Sequence, residues 1–243
     1  APYDIYTLED ISHQAVRENY KLYIFLNTFY LTPFDRQAIE GLKRDGKTLL
    51  FFYAPGYVSR QTGLKVSNIE RVTGIRVTKK SERELMEYKV TDTKHPVTDR
   101  LADGAGCRIQ PFSYALSREL HPPAFGPVFH VEDPEAVVLG KYPDGKAALA
   151  VRDMGDWKTV YCAVPRMNSD LLRGVARYAG VHLYSNRDVV MKVDNRLLML
   201  HNGYEGDVQL DIALPGAGRV VDAYSGEVMT QNGQSFVAKL PKV

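Results

Sequence analysis

Two runs constrain this fold more than anything else in the chain: Lys21-Leu22-Tyr23-Ile24-Phe25-Leu26 and the stretch Lys47 to Tyr53. Both are rich in aromatic and branched residues and neither alternates with polar ones, so both read as strands covered on two faces rather than one. Between them lies a well-signed helix. Thr32 can cap it, Pro33 takes its first position, Asp35 follows three residues after the cap, and Phe34, Ala38 and Leu42 fall on one face before Gly46. After the second run, Ser67-Asn68-Ile69-Glu70 reads as a capping box opening a short helix that Gly74 ends. With a strand predicted over Tyr3 to Leu8 and a polar helix over Asp10 to Asn19, the order is β-α-β-α-β-α. The expected fold class is therefore α/β, a doubly wound, mostly parallel sheet of flavodoxin-like type.

From Thr78 to Pro134 the pattern loosens, and His95-Pro96, Gly104 to Gly106 and His121-Pro122-Pro123 mark turns. Glu135 to Tyr142, Ala147 to Met154 and Lys158 to Val164 then read as three strands, the first two joined antiparallel by Pro143-Asp144-Gly145. Asn168 or Ser169 caps a last helix whose Leu171, Leu172, Val175, Ala176 and Ala179 form its buried stripe, with Gly180 as its stop. Beyond Asn186 only short alternating strands remain: Val189 to Val193, Leu197 to Leu200, Val208 to Leu214, Arg219 to Ala223 and Phe236 to Leu240. Asp194-Asn195, Asn202-Gly203, Ser225-Gly226 and Asn232-Gly233 supply their turns. The expected division is an α/β domain over residues 1–185 and a small antiparallel β-domain over residues 186–243.

Composition excludes several classes of function. Lysine and arginine total 31 against 29 acids, and a net charge of +2 gives no electrostatic footprint for nucleic acid. Apolar runs such as Leu22 to Leu26 and Leu49 to Ala54 fall far short of the roughly 20 residues that span a bilayer. The chain begins Ala1-Pro2-Tyr3, which leads us to expect a processed or excised piece. Cys107 and Cys162 are too far apart for a zinc knuckle or redox pair and read as structural thiols; they assign no compartment. His13, His95, His121, His130, His182 and His201 are scattered without metal-ligand spacing, and no glycine-rich phosphate loop follows a strand. We expect neither a metal nor a cofactor.

Longer stretches carry a family likeness. DIYTLEDI from Asp4, YKLYIFLNTFYLT from Tyr20 and GLKRDGKTLLFFYAPGYV from Gly41 resemble the glutamine-amidotransferase-like, trimerisation-type domain that follows the catalytic barrel of family 42 β-galactosidases. KYPDGKAALAVRDMGDWKTVYCAVPRMNSDLLRGVARYAGVHLYS, from Lys141, resembles the closing half of that domain. VVDAYSGEVM, from Val220, is similar to the C-terminal β-domain of many glycosidases. The resemblance implies a non-catalytic, assembly-forming region, whose acid/base and nucleophile glutamates belong to a barrel outside these residues. An active amidotransferase needs a cysteine on a sharp strand-to-helix turn and a histidine with a nearby carboxylate. Matching GKTLLFFYAP to that elbow puts Tyr53 or Ala54 at the nucleophile, and matching TVYCAVPRMNSDLL to the base strand leaves Val164-Pro165-Arg166. His95-Pro96-Val97-Thr98 resembles a turn of related domains, with Thr98 as a helix cap before Asp99 and Arg100.

Fifteen tyrosines and nine phenylalanines exceed what the predicted buried faces need. Ligands of doubly wound sheets bind beyond the carboxyl ends of the strands, here the loops Asn27 to Thr32 and Ala54 to Arg60. Phe29, Tyr30, Tyr57 and Arg60 on these loops are the candidate binding or interface residues, and Trp157 in Gly155-Asp156-Trp157-Lys158 is a hairpin-turn cover or a sugar platform. The expected partners are a barrel domain of a longer chain or further copies of this one. A carbohydrate-binding module using the aromatic loops and a degenerate hydrolase stand as alternatives.

Overall fold

The computed structural model describes residues 2–102, 104–109, 124–194 and 196–242. The chain divides into two compact units, Tyr6–Ala179 and Gly180–Val243 together with Ala1–Ile5. Its helices are α1 (Gln14–Glu18), α2 (Pro33–Glu40), α3 (Val66–Thr73) and α4 (Ser169–Tyr178), with a 3-10 turn at Glu9–Ser12 before α1. In the larger unit the strands are β1 (Leu22–Phe25), β2 (Thr48–Phe52), β3 (Val58–Ser59), β4 (Gly63–Leu64), β5 (Val77–Lys80), β6 (Glu84–Leu85), β7 (Glu87–Val90), β8 (Gly106–Arg108), β9 (Ala124–Phe125), β10 (Val128–Val131), β11 (Val137–Lys141), β12 (Ala147–Asp153) and β13 (Lys158–Cys162). The smaller unit adds β14 (Val190–Val193), β15 (Leu198–His201), β16 (Val208–Val221) and β17 (Val228–Leu240).

Nine strands of the larger unit form one sheet, ordered β1-β2-β13-β12-β11-β7-β8, with β10 joining β12 to β5. Every residue of β2 is buried, as its unalternated apolar run requires, and its two neighbours are parallel to it: Leu50 lies opposite Ile24 on one side and Val160 on the other. Elsewhere the sheet pairs antiparallel. The mostly parallel, doubly wound sheet expected from the sequence is therefore replaced by a mixed one. The reason lies in the connections. Parallel neighbours need a crossover of a dozen residues or more, which α2 supplies between β1 and β2, whereas β11–β12 and β12–β13 are joined by tight turns that admit only antiparallel neighbours.

Helix α2 has its predicted start. The Thr32 hydroxyl accepts from the Asp35 backbone N–H, and the Asp35 carboxylate accepts from the Thr32 backbone N–H. Of its expected inward face, Leu42 is buried and Ala38 packs on the core, but Phe34 is 57% exposed and Ile39, at 1%, takes the inward place, because the cap turns Asp35 inward and Phe34 out. Helix α3 ends at left-handed Gly74 as predicted, but Lys65, not a serine, precedes its first turn and no side chain caps it. Instead the buried Asn68 carboxamide donates to the carbonyls of Tyr57 and Gly63 and accepts from the Thr62 hydroxyl, holding the β3–β4 hairpin on the helix. Helix α4 is capped by Asn168 and buries Leu171, Val175, Ala176 and Ala179, while Leu172 faces outward.

Several smaller expectations are corrected. The strand expected over Tyr3 to Leu8 is absent: residues 3–7 belong to no sheet and Tyr3 and Ile5 are exposed, so the apolar side chains of the run have no core face to set a strand against. Residues 95–100 form turns rather than a helix start, and the buried Thr98 hydroxyl donates back to the His95 carbonyl. The His121-Pro122-Pro123 turn and Asn195 lie outside the described residues. In the smaller unit β14 pairs with β15 and β16 with β17, so the strands predicted at Val208 and Arg219 are one long strand. Ser225-Gly226 turns that hairpin, but Asn232-Gly233 lies inside β17, where Gly233 opposes Gly218. The unit's core is Val208, Leu210, Ile212 and Ala238, covered by Met191, Leu198, Leu200 and Phe236.

Candidate functional site

The carboxyl ends of β1 and β2 meet loops 26–32 and 53–60, where the sequence places its candidates. Both strands leave the sheet through a residue of positive φ, Asn27 at 54° and Tyr53 at 58°. Such a backbone is uncommon outside glycine and asparagine, so the Tyr53 conformation has to be held by its surroundings. It is held at three points. The Tyr53 backbone N–H donates to the Cys162 carbonyl at 2.8 Å, its carbonyl accepts from the buried Tyr161 hydroxyl at 2.5 Å, and its own hydroxyl donates to the Pro127 carbonyl at 2.7 Å. The turn presents a phenol held in a left-handed backbone. Burial, with the Tyr57 hydroxyl adding to it, pushes the Tyr53 hydroxyl up to about 12. It stays protonated and donating.

The two loops are zipped together by backbone bonds. The Gly56 N–H donates to the Thr28 carbonyl at 2.7 Å, the Val58 N–H to the Phe29 carbonyl at 2.9 Å, and Tyr30 bridges Val58 in parallel. Aromatic rings fill the space beneath. Phe29 meets Tyr53 edge-on at 5.8 Å, and Tyr53 and Tyr57 meet Phe129 at 5.3 and 5.2 Å. Tyr57 is 7% exposed, so this candidate belongs to the core and not to an exposed surface. Phe29 and Tyr30 remain 37% and 39% exposed, and the Arg60 guanidinium lies 5.9 Å from the Tyr30 ring centre, a cation–π contact on the surface. Phe29, Tyr30, Tyr57 and Arg60 thus share one end of the sheet. Trp157 does not: it precedes β13 at the opposite end, is 7% exposed, carries Lys43 Nζ 5.0 Å over its ring, and closes the β12–β13 turn as the Met154 N–H donates to its carbonyl.

At the end of β13 the chain continues Ala163-Val164, both buried, and the Cys162 thiol donates to the Val164 carbonyl at 3.1 Å. Both cysteines are buried free thiols; burial raises the Cys107 thiol and pushes Cys162 to about 12, away from the reactive thiolate. Among the described residues no group of three or more histidine, cysteine or acidic side chains is arranged to hold a metal ion, and no helix is long and apolar enough to cross a membrane.

A feature that the sequence did not disclose lies on the flank of the sheet. A cavity of about 340 Å³ opens between α2, α3 and the β3–β4 hairpin, lined among others by Arg36, Arg71, Ser59, Gln61 and Thr62. Arg36 donates to the Gly56 carbonyl at 2.8 Å. Gly56 has φ 64°, and a Cβ there would stand 3.0 Å from the Arg36 guanidinium and from Val72, so the loop and the arginine need a glycine at this point. Residues 36, 59 and 71 meet only through tertiary packing, and no local spacing signals them.

No family model and no curated protein matches the sequence. Solved structures do. A β-galactosidase from Bacillus circulans sp. alkalophilus superposes with a TM-score of 0.58 at 16% identity over 96% of this chain and 33% of its own. The chain shares its fold with one third of a β-galactosidase. Gan42B, a GH42 β-galactosidase from G. stearothermophilus, gives 0.56 at 13% identity over 96% of this chain and 33% of its own. The β-galactosidase from Rahnella sp. R3 gives 0.56 at 15% over 91% and 32%. At these identities the likeness is one of fold, and the chain spans about a third of the length of the proteins it matches.

Proposed function

We propose that this chain is the non-catalytic accessory region of a larger glycoside hydrolase, and that it works in assembly of and support for a catalytic barrel contributed by the rest of the protein. The carrying observation is the match in fold between nearly the whole chain and one third of a GH42 β-galactosidase. In this reading the Tyr6–Ala179 unit is an amidotransferase-like domain that has lost its chemistry, and the following β-unit, from about residue 186, is its companion domain. The Tyr53 turn supports the first half. A left-handed elbow held by three hydrogen bonds is kept where a nucleophile would stand, but it carries a buried phenol, and Val164-Pro165-Arg166 stands where the base would be. The half-exposed Phe29 and Tyr30, with Arg60 stacked on Tyr30, are the contact surface. Aromatic and arginine side chains bury large area with a polar tip, which suits subunit contacts.

Light scattering on the protein expressed from its complete reading frame tests this. Tyr30→Asp and Arg60→Glu are expected to lower the assembled mass without changing the unfolding temperature of the chain. If neither changes the mass, the assembly role fails; if Tyr30→Asp instead abolishes retention on immobilised galactan, the surface is a carbohydrate-binding one.

A further inference from the structure

The cavity between α2, α3 and the β3–β4 hairpin has an unbalanced charge. Arg36 and Arg71 both line it, and neither forms an ion pair with a carboxylate among the described residues. Glu40, the one acid in the lining, is held by Lys43 Nζ at 2.7 Å. Arg36 spends one bond on the Gly56 carbonyl at 2.8 Å and reaches the Asn68 carbonyl only at 3.5 Å, so most of its five donors are left over. Partial burial and the neighbouring Arg71 charge both pull Arg36 below the ordinary arginine value, which places two like charges at one wall. Around them stand neutral groups with spare capacity. The Ser59 hydroxyl accepts from the Gln61 and Thr62 backbone N–H groups, and its own proton has no acceptor among the described residues; the Gln61 carboxamide makes no bond there either. Asn68, by contrast, is fully spent on the hairpin.

We propose that this cavity binds a small oxyanion carried on a hydroxylated frame, a sugar phosphate or a sugar acid. Two guanidinium groups suit a carboxylate or phosphate, for which planar paired donors give strength and geometry. The serine and glutamine side chains suit hydroxyl groups, and a volume of about 340 Å³ accepts one hexose-sized ligand. A neutral sugar gives the two guanidinium groups no counter-charge and is expected to bind more weakly than a charged one. The inference is independent of the accessory role, since it uses neither the Tyr30 surface nor the Tyr53 turn.

Titration calorimetry of the 243-residue chain with glucose 6-phosphate, glucuronate, inorganic phosphate and glucose tests it. At least one charged sugar is expected to bind saturably, more tightly than inorganic phosphate or glucose and with an affinity that falls as salt rises. Arg71 is exposed and its side chain makes no bond within the described structure, so Arg71→Gln is expected to fold normally and to weaken binding about tenfold or more. The proposal is overturned if neither charged sugar saturates at about 10 mM, or if Arg71→Gln leaves the affinity unchanged. Equal affinity for inorganic phosphate overturns the hydroxylated frame. If no small anion binds and Arg71→Glu lowers the assembled mass of the full-length protein, the arginines serve an acidic side chain of another subunit, which also overturns it.

Discussion

Tyr53 and Gly174 show how single residues carry this fold. Tyr53 keeps a positive φ because three partners fix it, and its ring packs edge-on against Phe29 and Phe129 beyond the carboxyl end of β2. Gly174, in the middle of α4, has no such conformational demand; its constraint is distance. A Cβ at this position would stand 1.9 Å from the Val97 carbonyl oxygen, so the helix rests directly on the backbone of the turn at residues 95–100. Gly174→Ala is expected to cost about 3 kcal/mol in chemical denaturation, since an overpacked contact against backbone has no side chain to yield. A cost near zero would mean that α4 does not sit on that turn. The sequence shows a glycine inside a helical pattern and no more, because the partner carbonyl is 77 positions away.

At the scale of elements, legibility follows the range of the interaction. Thr32-Pro33-Phe34-Asp35 announces α2 because both halves of the capping box lie within four residues. Ser67 to Glu70 has the same signature and fails, since α3 begins one residue before Ser67 and Asn68 is drawn to the hairpin by Tyr57 and Gly63. The two boxes give a paired prediction. Asp35→Ala removes acceptors for the Thr32 N–H and hydroxyl and is expected to cost about 1 kcal/mol in urea unfolding. Ser67→Ala, which removes no cap, is expected to stay within about 0.5 kcal/mol. Equal costs would show that the sequence signature, and not the observed bonding, sets helix stability here. The strands obey the same rule: the buried run at β2 and the Pro143-Asp144-Gly145 turn are local and legible, whereas β1, expected to be covered on both faces, lies at the edge of the sheet with Ile24 42% exposed, and the antiparallel majority of the sheet depends on where β7, β8 and β10 return from.

For the whole molecule, the candidate site was legible only in part. The loops after β1 and β2 do meet, and Phe29, Tyr30 and Arg60 do share a surface, but Tyr57 went into the core because Phe129, 72 positions on, packs against it. Trp157 went to the far end of the sheet with the turn that it closes. The arginine-lined cavity was invisible because no two of its walls are neighbours in sequence. What unites these features is a scaffold whose strand ends are closed by aromatic rings and whose Tyr53 turn offers a protonated phenol, on a fold shared with one third of a longer β-galactosidase. The most direct test of that account is the hydrolysis of a chromogenic β-galactoside by the protein from the complete reading frame and by this 243-residue chain alone. The account predicts saturable turnover by the former and none above buffer by the latter. Saturable hydrolysis by the chain alone, or none by the complete protein, would contradict it.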